Sequence, residues 1–113
     1  MEARAAMKFV RVSPQKARLV VDLIRGRRCG EAIHILRATN KRMAPQVEKV
    51  LRSAISNAEA ASGDVDVDRL FVKRAWVDDG PRQKRLRPAP MGRAYRYQRR
   101  MAHIVVTVGD GQE

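Results

Sequence analysis

Residues 13–26 read SPQKARLVVDLIRG, and this stretch decides the fold more than any other. Ser13 and Pro14 form a helix start, because a serine hydroxyl can accept a hydrogen bond from an exposed backbone N–H and proline suits the first helical position. Gly26 readily adopts a left-handed conformation and is expected to end the helix. The apolar residues between them have the spacing i, i+3, i+4 and i+7, and they are Ala17, Val20, Val21 and Ile24. The stretch therefore predicts an amphipathic helix with one buried face.

Two further helices are predicted after the first. The second is about two turns long and ends near Thr39 and Asn40, whose side chains can cap it. Its apolar stripe is Ala32, Ile35 and Leu36. The third is longer and ends before residues 62–64, and Pro45 is compatible with it only if it lies in the first turn. Its apolar face is Val47, Val50, Leu51, Ala54, Ala58 and Ala61.

Three strands are predicted from runs of β-branched and apolar residues. The first covers residues 3–12, with imperfect alternation, and the second covers residues 69–77. In the last strand Ile104, Val106 and Val108 alternate with His103, Val105 and Thr107. The order of elements predicts an α+β fold in which a small antiparallel three-stranded sheet packs with three helices. Residues 1–113 are expected to form a single domain, because the chain is too short for two cores of usual size.

Residues 78–102 join the last two strands, and they are far more numerous than the residues of an ordinary hairpin loop. Proline at positions 81, 88 and 90 excludes a regular helix. We predict a long protruding β-hairpin within the domain, with a tip ~30 Å beyond it. Eight positive charges and no negative charge fall in residues 81–100: Arg82, Lys84, Arg85, Arg87, Arg93, Arg96, Arg99 and Arg100.

The charge balance favours a nucleic-acid partner. The chain carries 24 basic and 12 acidic residues, a net charge of +12, and a compact domain tolerates such self-repulsion best beside a polyanion. Arginine accounts for 18 of the basic residues, and its planar fork grips phosphate and stacks on bases. A lone ribbon of the predicted length is not self-stabilising, whereas an RNA wall would neutralise its arginines and contact Met91, Tyr95 and Tyr97. Further phosphate contacts are expected near helix ends, at Lys16, Arg18, Arg25, Lys41 and Arg42.

Enzymatic and metal-binding functions find little support in the sequence. No Walker loop, dinucleotide-binding glycine pattern or nucleophile elbow is present, so no enzyme is expected. Adjacent residues of a strand point to opposite faces, so Asp78 and Asp79 are interpreted as salt-bridge or turn residues and not as paired acids. His34 and His103 lack ligands at metal-binding spacing, and no metal or other cofactor is expected. Cys29 is interpreted as an inert residue between helices, although Arg27 and Arg28 beside it carry the positive charge that lowers the pKa of a thiol.

The compartment is predicted from what the sequence lacks. One cysteine excludes an internal disulfide and favours a reduced, intracellular compartment. No apolar run approaches the ~20 residues that span a bilayer, and the start of the chain lacks the apolar stretch of a secretory signal. A soluble protein with no membrane partner is expected. Trp76 is interpreted as an anchor in the core or on a sheet face, with base stacking as an alternative.

Several motifs in order resemble the family of ribosomal protein twenty-two of the large subunit, bacterial type, over essentially the whole chain. In the sequence they are SPQKAR at 13–18, VDLIRG at 21–26, TNK at 39–41, SAISNA at 53–58, DGP at 79–81, KR at 84–85, Pro88, GRA at 92–94 and AHI at 102–104. Two short stretches depart from the family's usual residues. Pro88-Ala89-Pro90 replaces proline, arginine and alanine, and Met101-Ala102 replaces threonine and serine.

The resemblance implies a non-enzymatic protein of the large ribosomal subunit, in the cytoplasm or in an organelle. Its expected partners are large-subunit ribosomal RNA, neighbouring ribosomal proteins and the nascent peptide, with no homo-oligomer. The globule would sit on the outer surface of the subunit and help assembly, and the hairpin would run along the peptide exit tunnel. The residues implied to line the tunnel are Lys84, Arg85, Leu86, Arg87, Pro88, Ala89, Pro90, Met91, Gly92 and Arg93.

An architectural DNA-binding protein is the alternative function. Such proteins insert a basic β-ribbon into the minor groove, and Pro90 or Met91 would act as a wedge between base steps. They usually form symmetric dimers, and this sequence shows no obvious apolar dimer surface beyond what the sheet needs. The charge distribution alone allows this function, and the motifs favour the ribosomal one.

Overall fold

Three helices and two antiparallel sheets form the fold in the computed structural model. The structure describes residues 2–61, 63, 66–81, 83–88 and 94–110. For residues 67, 83–88 and 94–99 it describes the backbone only. In chain order the elements are β1 (Glu2–Val10), α1 (Pro14–Val21), α2 (Cys29–Ala38), α3 (Ala44–Ala61), β2 (Phe71–Asp79), β3 (Gln83–Pro88), β4 (Ala94–Arg99) and β5 (Ala102–Gly109), with a 3-10 turn at Val67–Arg69 before β2. The predicted α+β class is confirmed. Strands β1 and β2 begin and end within about two residues of the predicted limits.

The central strand of the main sheet is β5, with β1 and β2 antiparallel on its two sides. Ile104, Val106 and Val108 are fully buried on the face that packs against the helices, as predicted. The alternation predicted for the other face is wrong, because Val105 and Thr107 are also buried, at 4% and 6% exposure. A central strand has neighbours on both sides, and their side chains shelter its outer face.

The predicted stripe of α1 is confirmed, since all of its members are buried in the core. The helix itself ends at Val21 instead of near Gly26, and i to i+3 hydrogen bonds continue the chain as tight turns. Gly26 has the predicted left-handed conformation, with φ of 79°, and its N–H donates to the carbonyl of Val72 over 3.0 Å. The side chain of Ser13 makes no capping hydrogen bond, which corrects the predicted cap. Proline at the first position leaves one fewer N–H for a cap to satisfy.

Helices α2 and α3 pack against each other beside the sheet. Helix α2 has 10 residues and is therefore longer than the predicted two turns. The Thr39 hydroxyl donates to the carbonyl of Ile35 over 2.7 Å and so caps its end as predicted. Pro45 lies in the first turn of α3, where proline is tolerated, and the apolar face of α3 is buried except for Ala61 at its end.

A charged cluster joins α2 to α3 on the surface. The Glu48 carboxylate accepts from Arg37 Nε over 2.9 Å and from Arg52 Nη2 over 3.2 Å. The hydrogen bond from Arg37 is the main reason that the pKa of the Glu48 carboxyl lies below its usual range. Because the arginines are at least half exposed, this cluster adds little stability and mainly fixes how α2 lies against α3.

The outer edge of β2 is closed by residues 18–29. Arg18 donates from Nε and Nη2 to the carbonyl of Val77, over 3.3 and 3.0 Å, and Arg25 donates in the same way to Ala75, over 3.1 and 2.7 Å. Further along the edge, the N–H of Cys29 donates to the carbonyl of Leu70 over 3.0 Å. An open edge would invite pairing with another chain, and these contacts occupy its carbonyls instead.

The hairpin continues β2 and β5 outward as a second sheet of two strands. At its base the N–H of Gly80 donates to the carbonyl of Met101 over 2.8 Å. A Cβ atom at position 80 would lie 3.1 Å from the backbone of Met101, which explains the glycine there. Strand β3 pairs with β4 from Gln83 opposite Arg99 to Pro88 opposite Ala94. The predicted protruding hairpin is confirmed, and the molecule measures 65 Å along its longest axis against 26 and 21 Å across it.

Candidate nucleic-acid interface

The positive side chains of the globule other than Arg4, which lies over the ring of Trp76, fall into two groups. Members of the first group lie within hydrogen-bond or ion-pair distance of a carboxylate, and they are Arg18, Arg25, Arg27, Arg37, Arg52, Arg69, Lys73 and Arg74. Members of the second group make no hydrogen bond or ion pair with any residue that the structure describes, and they are Lys8, Arg11, Lys16, Arg28, Lys41, Arg42, Lys49 and Arg100. The second group is free to neutralise an external anion.

Most of the second group lies at one end of the globule. We call this the hairpin end, where Val10 of β1 and Asp79 of β2 both pair with Ala102 of β5. The free cations at or beside this end are Lys8, Arg11, Lys16, Lys41, Arg42 and Arg100. Glu2, Asp66, Asp68 and Asp110 lie at the opposite end of the sheet, whereas Asp78 and Asp79 at the hairpin end contact Trp76 and Arg18. The positive potential of the globule is therefore continuous with the basic hairpin.

The predicted hairpin cations follow the ribbon. Lys84, Arg85 and Arg87 lie on β3, and Arg96 and Arg99 lie on β4. Arg100 follows β4 and is exposed. The register pairs position 85 with 97 and position 87 with 95, so cationic and tyrosine positions meet across the ribbon. Arg82 and the segment Ala89, Pro90, Met91, Gly92 and Arg93 of the predicted tip lie outside the described residues.

Three of the predicted globule cations are brought together in one cleft. Lys16 of α1 and Lys41 and Arg42 of the loop before α3 line a cleft of about 480 Å³. Arg11, in the turn between β1 and α1, lines the same cleft and was not predicted as a site residue. No signal in the sequence joins Arg11 to Lys41, because only the fold brings these two segments into contact.

Arg18 and Arg25 have a different environment. Arg18 lies in α1 and Arg25 lies just after it, and each donates to a carbonyl of β2. Arg18 also lies 3.9 Å from Asp79, and Arg25 lies 2.8 Å from Asp22. Their side chains stay about half exposed, at 50% and 49%. These arginines therefore position α1 on the sheet, and their outer faces remain open to solvent.

Phe9 is an exposed aromatic residue that the sequence did not single out. Its backbone has φ of 59°, a strained value for a residue with a side chain, at a bulge in the pairing of β1 with β5. The N–H of Phe9 donates to Nδ1 of His103 over 3.1 Å, and the two rings meet edge to face at 5.0 Å. His103 therefore packs against Phe9, and Phe9 itself is 60% exposed.

Trp76 and the two aspartates lie on the outer face or the edge of the main sheet. The indole N–H of Trp76 donates to Asp78 over 3.1 Å, and Arg4 lies 6.0 Å above its ring. Trp76 is thus the predicted sheet-face anchor. Asp78 and Asp79 are engaged with Trp76 and Arg18, which confirms their interpretation as structural residues.

Cys29 is the first residue of α2 and is buried at 1% exposure. Burial raises the pKa of its thiol from 9.0 to about 11, so the neighbouring arginines do not activate it. The described residues contain no group of three or more side chains placed to hold a metal ion. Among the helices of the described ranges, none is long and apolar enough to cross a membrane.

The buried thiol leads to a first prediction. Alkylation of Cys29 by iodoacetamide at pH 8 should be about 100-fold slower in the folded protein than in urea, because the thiolate is the reactive form and two pKa units separate the states. The folded state holds its proton more tightly, so this group's contribution to stability is complete below pH 9.0 and is lost as the pH rises toward about 11. Mass spectrometry of quenched samples measures the rate, and equal rates in both states would contradict the burial.

Comparison with known proteins places the whole chain beside one family. The sequence model described as ribosomal protein L22p/L17e matches residues 5–109. A protein named large ribosomal subunit protein uL22 from Solibacter usitatus is 66% identical over 108 residues, which cover 96% of each chain. Proteins of the same name from Koribacter versatilis and Staphylococcus haemolyticus are 54% and 50% identical. The alignments cover 97% and 100% of this chain, and 68% and 96% of those relatives.

Proposed function

Because the chain belongs to the ribosomal protein L22p/L17e family, it is a structural protein of the large ribosomal subunit, and we propose that it binds ribosomal RNA, aids subunit assembly and extends its hairpin along the wall of the nascent peptide exit tunnel. It performs no chemistry in this role. Its partners are large-subunit RNA, neighbouring ribosomal proteins and, at the tunnel, the growing peptide. It acts in the ribosome of the cytoplasm.

The basic hairpin is the observation that carries this proposal. Residues 81–100 hold eight positive charges and no negative charge, and β3 and β4 continue the main sheet outward as a ribbon of two strands. A ribbon of this kind is marginal in water, since neither face is covered and its charges repel each other. An RNA wall on both sides supplies phosphates to the arginines and covers the tyrosine positions.

The globule orients the hairpin in this proposal. Lys16, Lys41 and Arg42 contact phosphates at the hairpin end, so the RNA surface is continuous from the globule to the ribbon. Arg18 and Arg25 hold α1 on the sheet and offer their exposed sides to the same RNA. Such backbone contacts fix position without reading base sequence. The tip, from Lys84 to Arg93, then reaches the tunnel lumen.

The long axis of the molecule supports a role across the depth of an RNA wall. The length of 65 Å is more than twice the molecule's extents of 26 and 21 Å along its other two axes, and β3 and β4 form a sheet of their own beyond the main one. A DNA-bending function would need a symmetric partner to grip a duplex from two sides. Family membership over residues 5–109 favours the ribosomal function over that alternative.

Salt dependence of binding tests the proposal. The affinity for deproteinised large-subunit RNA should fall steeply with salt, with a slope of about −6 in a plot of log K against log salt, because some eight phosphates are neutralised. Filter binding between about 50 and 300 mM KCl measures it. Random duplex DNA of equal length is the control. Equal affinity for that DNA at every salt concentration would contradict a ribosomal function.

A further inference from the structure

The cleft at the hairpin end has the composition of a binding site for one nucleotide. It lies where the turn after β1, the helix α1 and the loop before α3 meet, and its volume of about 480 Å³ falls in the range of small-molecule sites, about 300–1,000 Å³. Four of its lining side chains are cationic, Arg11, Lys16, Lys41 and Arg42, and no acidic residue lines it. An anionic occupant is therefore favoured.

None of these four cations is engaged elsewhere in the described part of the chain. The globule satisfies many other cations with carboxylates, as Arg27 with Glu31 at 3.0 Å and Arg37 with Glu48 at 2.9 Å. Like charges around one cleft raise its potential and destabilise the free protein slightly. A phosphate bound among them removes that repulsion.

The floor of the cleft is apolar and not cationic. Val20 and Met43 lie beneath it at 1% and 8% exposure, and Leu19 stands at its edge with 57% of its surface exposed. A site for phosphate alone needs no such surface. A nucleobase presents a flat apolar face of matching character, and a methionine side chain adapts to it readily.

Ser13 adds a polar group to the wall of the same cleft. Its side chain makes no capping hydrogen bond to α1 and no hydrogen bond to any described residue, although serine before a proline-led helix commonly caps it. The hydroxyl both donates and accepts, so it can pair with the edge of a base or with a ribose hydroxyl.

We propose that this cleft binds a single unstacked nucleotide of the large-subunit RNA, with its flanking phosphates on Arg11, Lys16, Lys41 and Arg42, its base against Leu19 and Met43, and a hydrogen bond to Ser13. This inference rests on the proposed RNA-binding function and names the chemistry of one contact within it. Proteins recognise RNA mainly at unpaired bases that are splayed out of the helix. The cleft thus gives the globule one base contact among many phosphate contacts.

Leu19→Ser tests the base contact, with Leu23→Ser as its matched control. Both leucines are exposed, at 57% and 42%, and only Leu19 lines the cleft. We expect Leu19→Ser to weaken binding of the full-length protein to deproteinised large-subunit RNA about tenfold, because an apolar contact is lost. The salt slope should not change, because every phosphate contact is kept. Leu23→Ser should bind as the wild type does. Thermal unfolding confirms that both variants fold.

Lys41→Gln and Ser13→Ala test the other two contacts. Lys41→Gln should lower the salt slope by about one unit. Ser13→Ala should leave the melting temperature unchanged, because no cap is lost, and weaken RNA binding a few-fold. Dimethyl sulfate probing should show one or two bases that the wild type protects and Leu19→Ser exposes.

Three results separate the possibilities. Wild-type protein that binds the RNA without salt dependence would overturn the proposed function. Wild-type binding that Leu19→Ser and Leu23→Ser leave equally unchanged, with identical base protection, would overturn the cleft proposal alone. Normal RNA affinity of Leu19→Ser together with poor incorporation into subunits would also overturn it, because the cleft would then hold a neighbouring protein.

Discussion

Replacement of Lys84, Arg85, Arg87, Arg96, Arg99 and Arg100 with glutamine should reduce the affinity for deproteinised large-subunit RNA about a thousandfold or more near physiological salt. Each phosphate that loses its cation removes about 0.7–0.9 from the salt slope, so the slope should fall by about four to five. Electrophoretic mobility shifts over a salt series measure both quantities.

The matched control keeps the charge and changes the geometry. Lysine in place of the same five arginines should preserve the salt slope while it weakens binding modestly, because lysine lacks the planar fork of arginine. A glutamine variant that keeps the wild-type slope would show that the hairpin does not contact phosphate. The described core contains none of these residues, so we expect thermal unfolding of all variants to coincide within a few degrees.

Leu70→Ala should strongly destabilise the globule. Leu70 is fully buried beside β2, and its carbonyl accepts from Cys29 at the closed edge of the sheet. A buried leucine cut to alanine costs about 2–5 kcal/mol, a large share of the about 5–15 kcal/mol that stabilises a typical domain. The melting temperature should fall by ~10 °C or more, since ~1 kcal/mol corresponds to ~4–8 °C at this size.

Two controls accompany the core substitution. Leu23→Ala removes a side chain that is 42% exposed and should cost less than about 1 kcal/mol. Excision of residues 84–93 leaves in place every core residue that the structure describes, so cooperative unfolding should stay intact. Two results would contradict the view that the globule is stable by itself and the hairpin depends on a partner. One is a melting temperature of Leu70→Ala equal to that of the wild type, and the other is loss of cooperative unfolding after the excision.

Local patterns in the sequence predicted most of the fold. The stripe of α1 and the turn at Gly26 depend on neighbours within a few residues, and the structure confirms them. The hairpin was predicted because the segment between the last two strands is too long for an ordinary loop and its prolines exclude a regular helix. The alternating pattern of β5 did not predict burial correctly, because a central strand is buried on both faces.

Sequence patterns could not predict contacts between segments that are distant along the chain. The forks from Arg18 and Arg25 to the carbonyls of β2 join residues 59 and 50 positions apart. After α1 ends at Val21, the chain follows the edge of the sheet, where Gly26 and Cys29 donate to carbonyls of residues 72 and 70. The strained backbone of Phe9 arises from a bulge that only the pairing register reveals.

For the candidate site, the sequence predicted where the charges lie along the chain, but it did not predict which residues meet in the fold. Composition alone identified the hairpin charges, whereas Ser13 looked like a helix cap and Arg11 like a strand residue. The fold places both of them in the cleft with Lys41. Which cations are free is known only from the structure, because some of the paired ones meet a carboxylate of another element, as Arg37 meets Glu48 and Lys73 meets Glu2.

A cryo-EM map of large subunits that contain this protein tests the central claim most directly. The account predicts the globule on the outer surface, its hairpin end against RNA, and β3 and β4 running inward between RNA segments to the wall of the exit tunnel. Density that placed the hairpin in solvent, away from RNA and the tunnel, would contradict it.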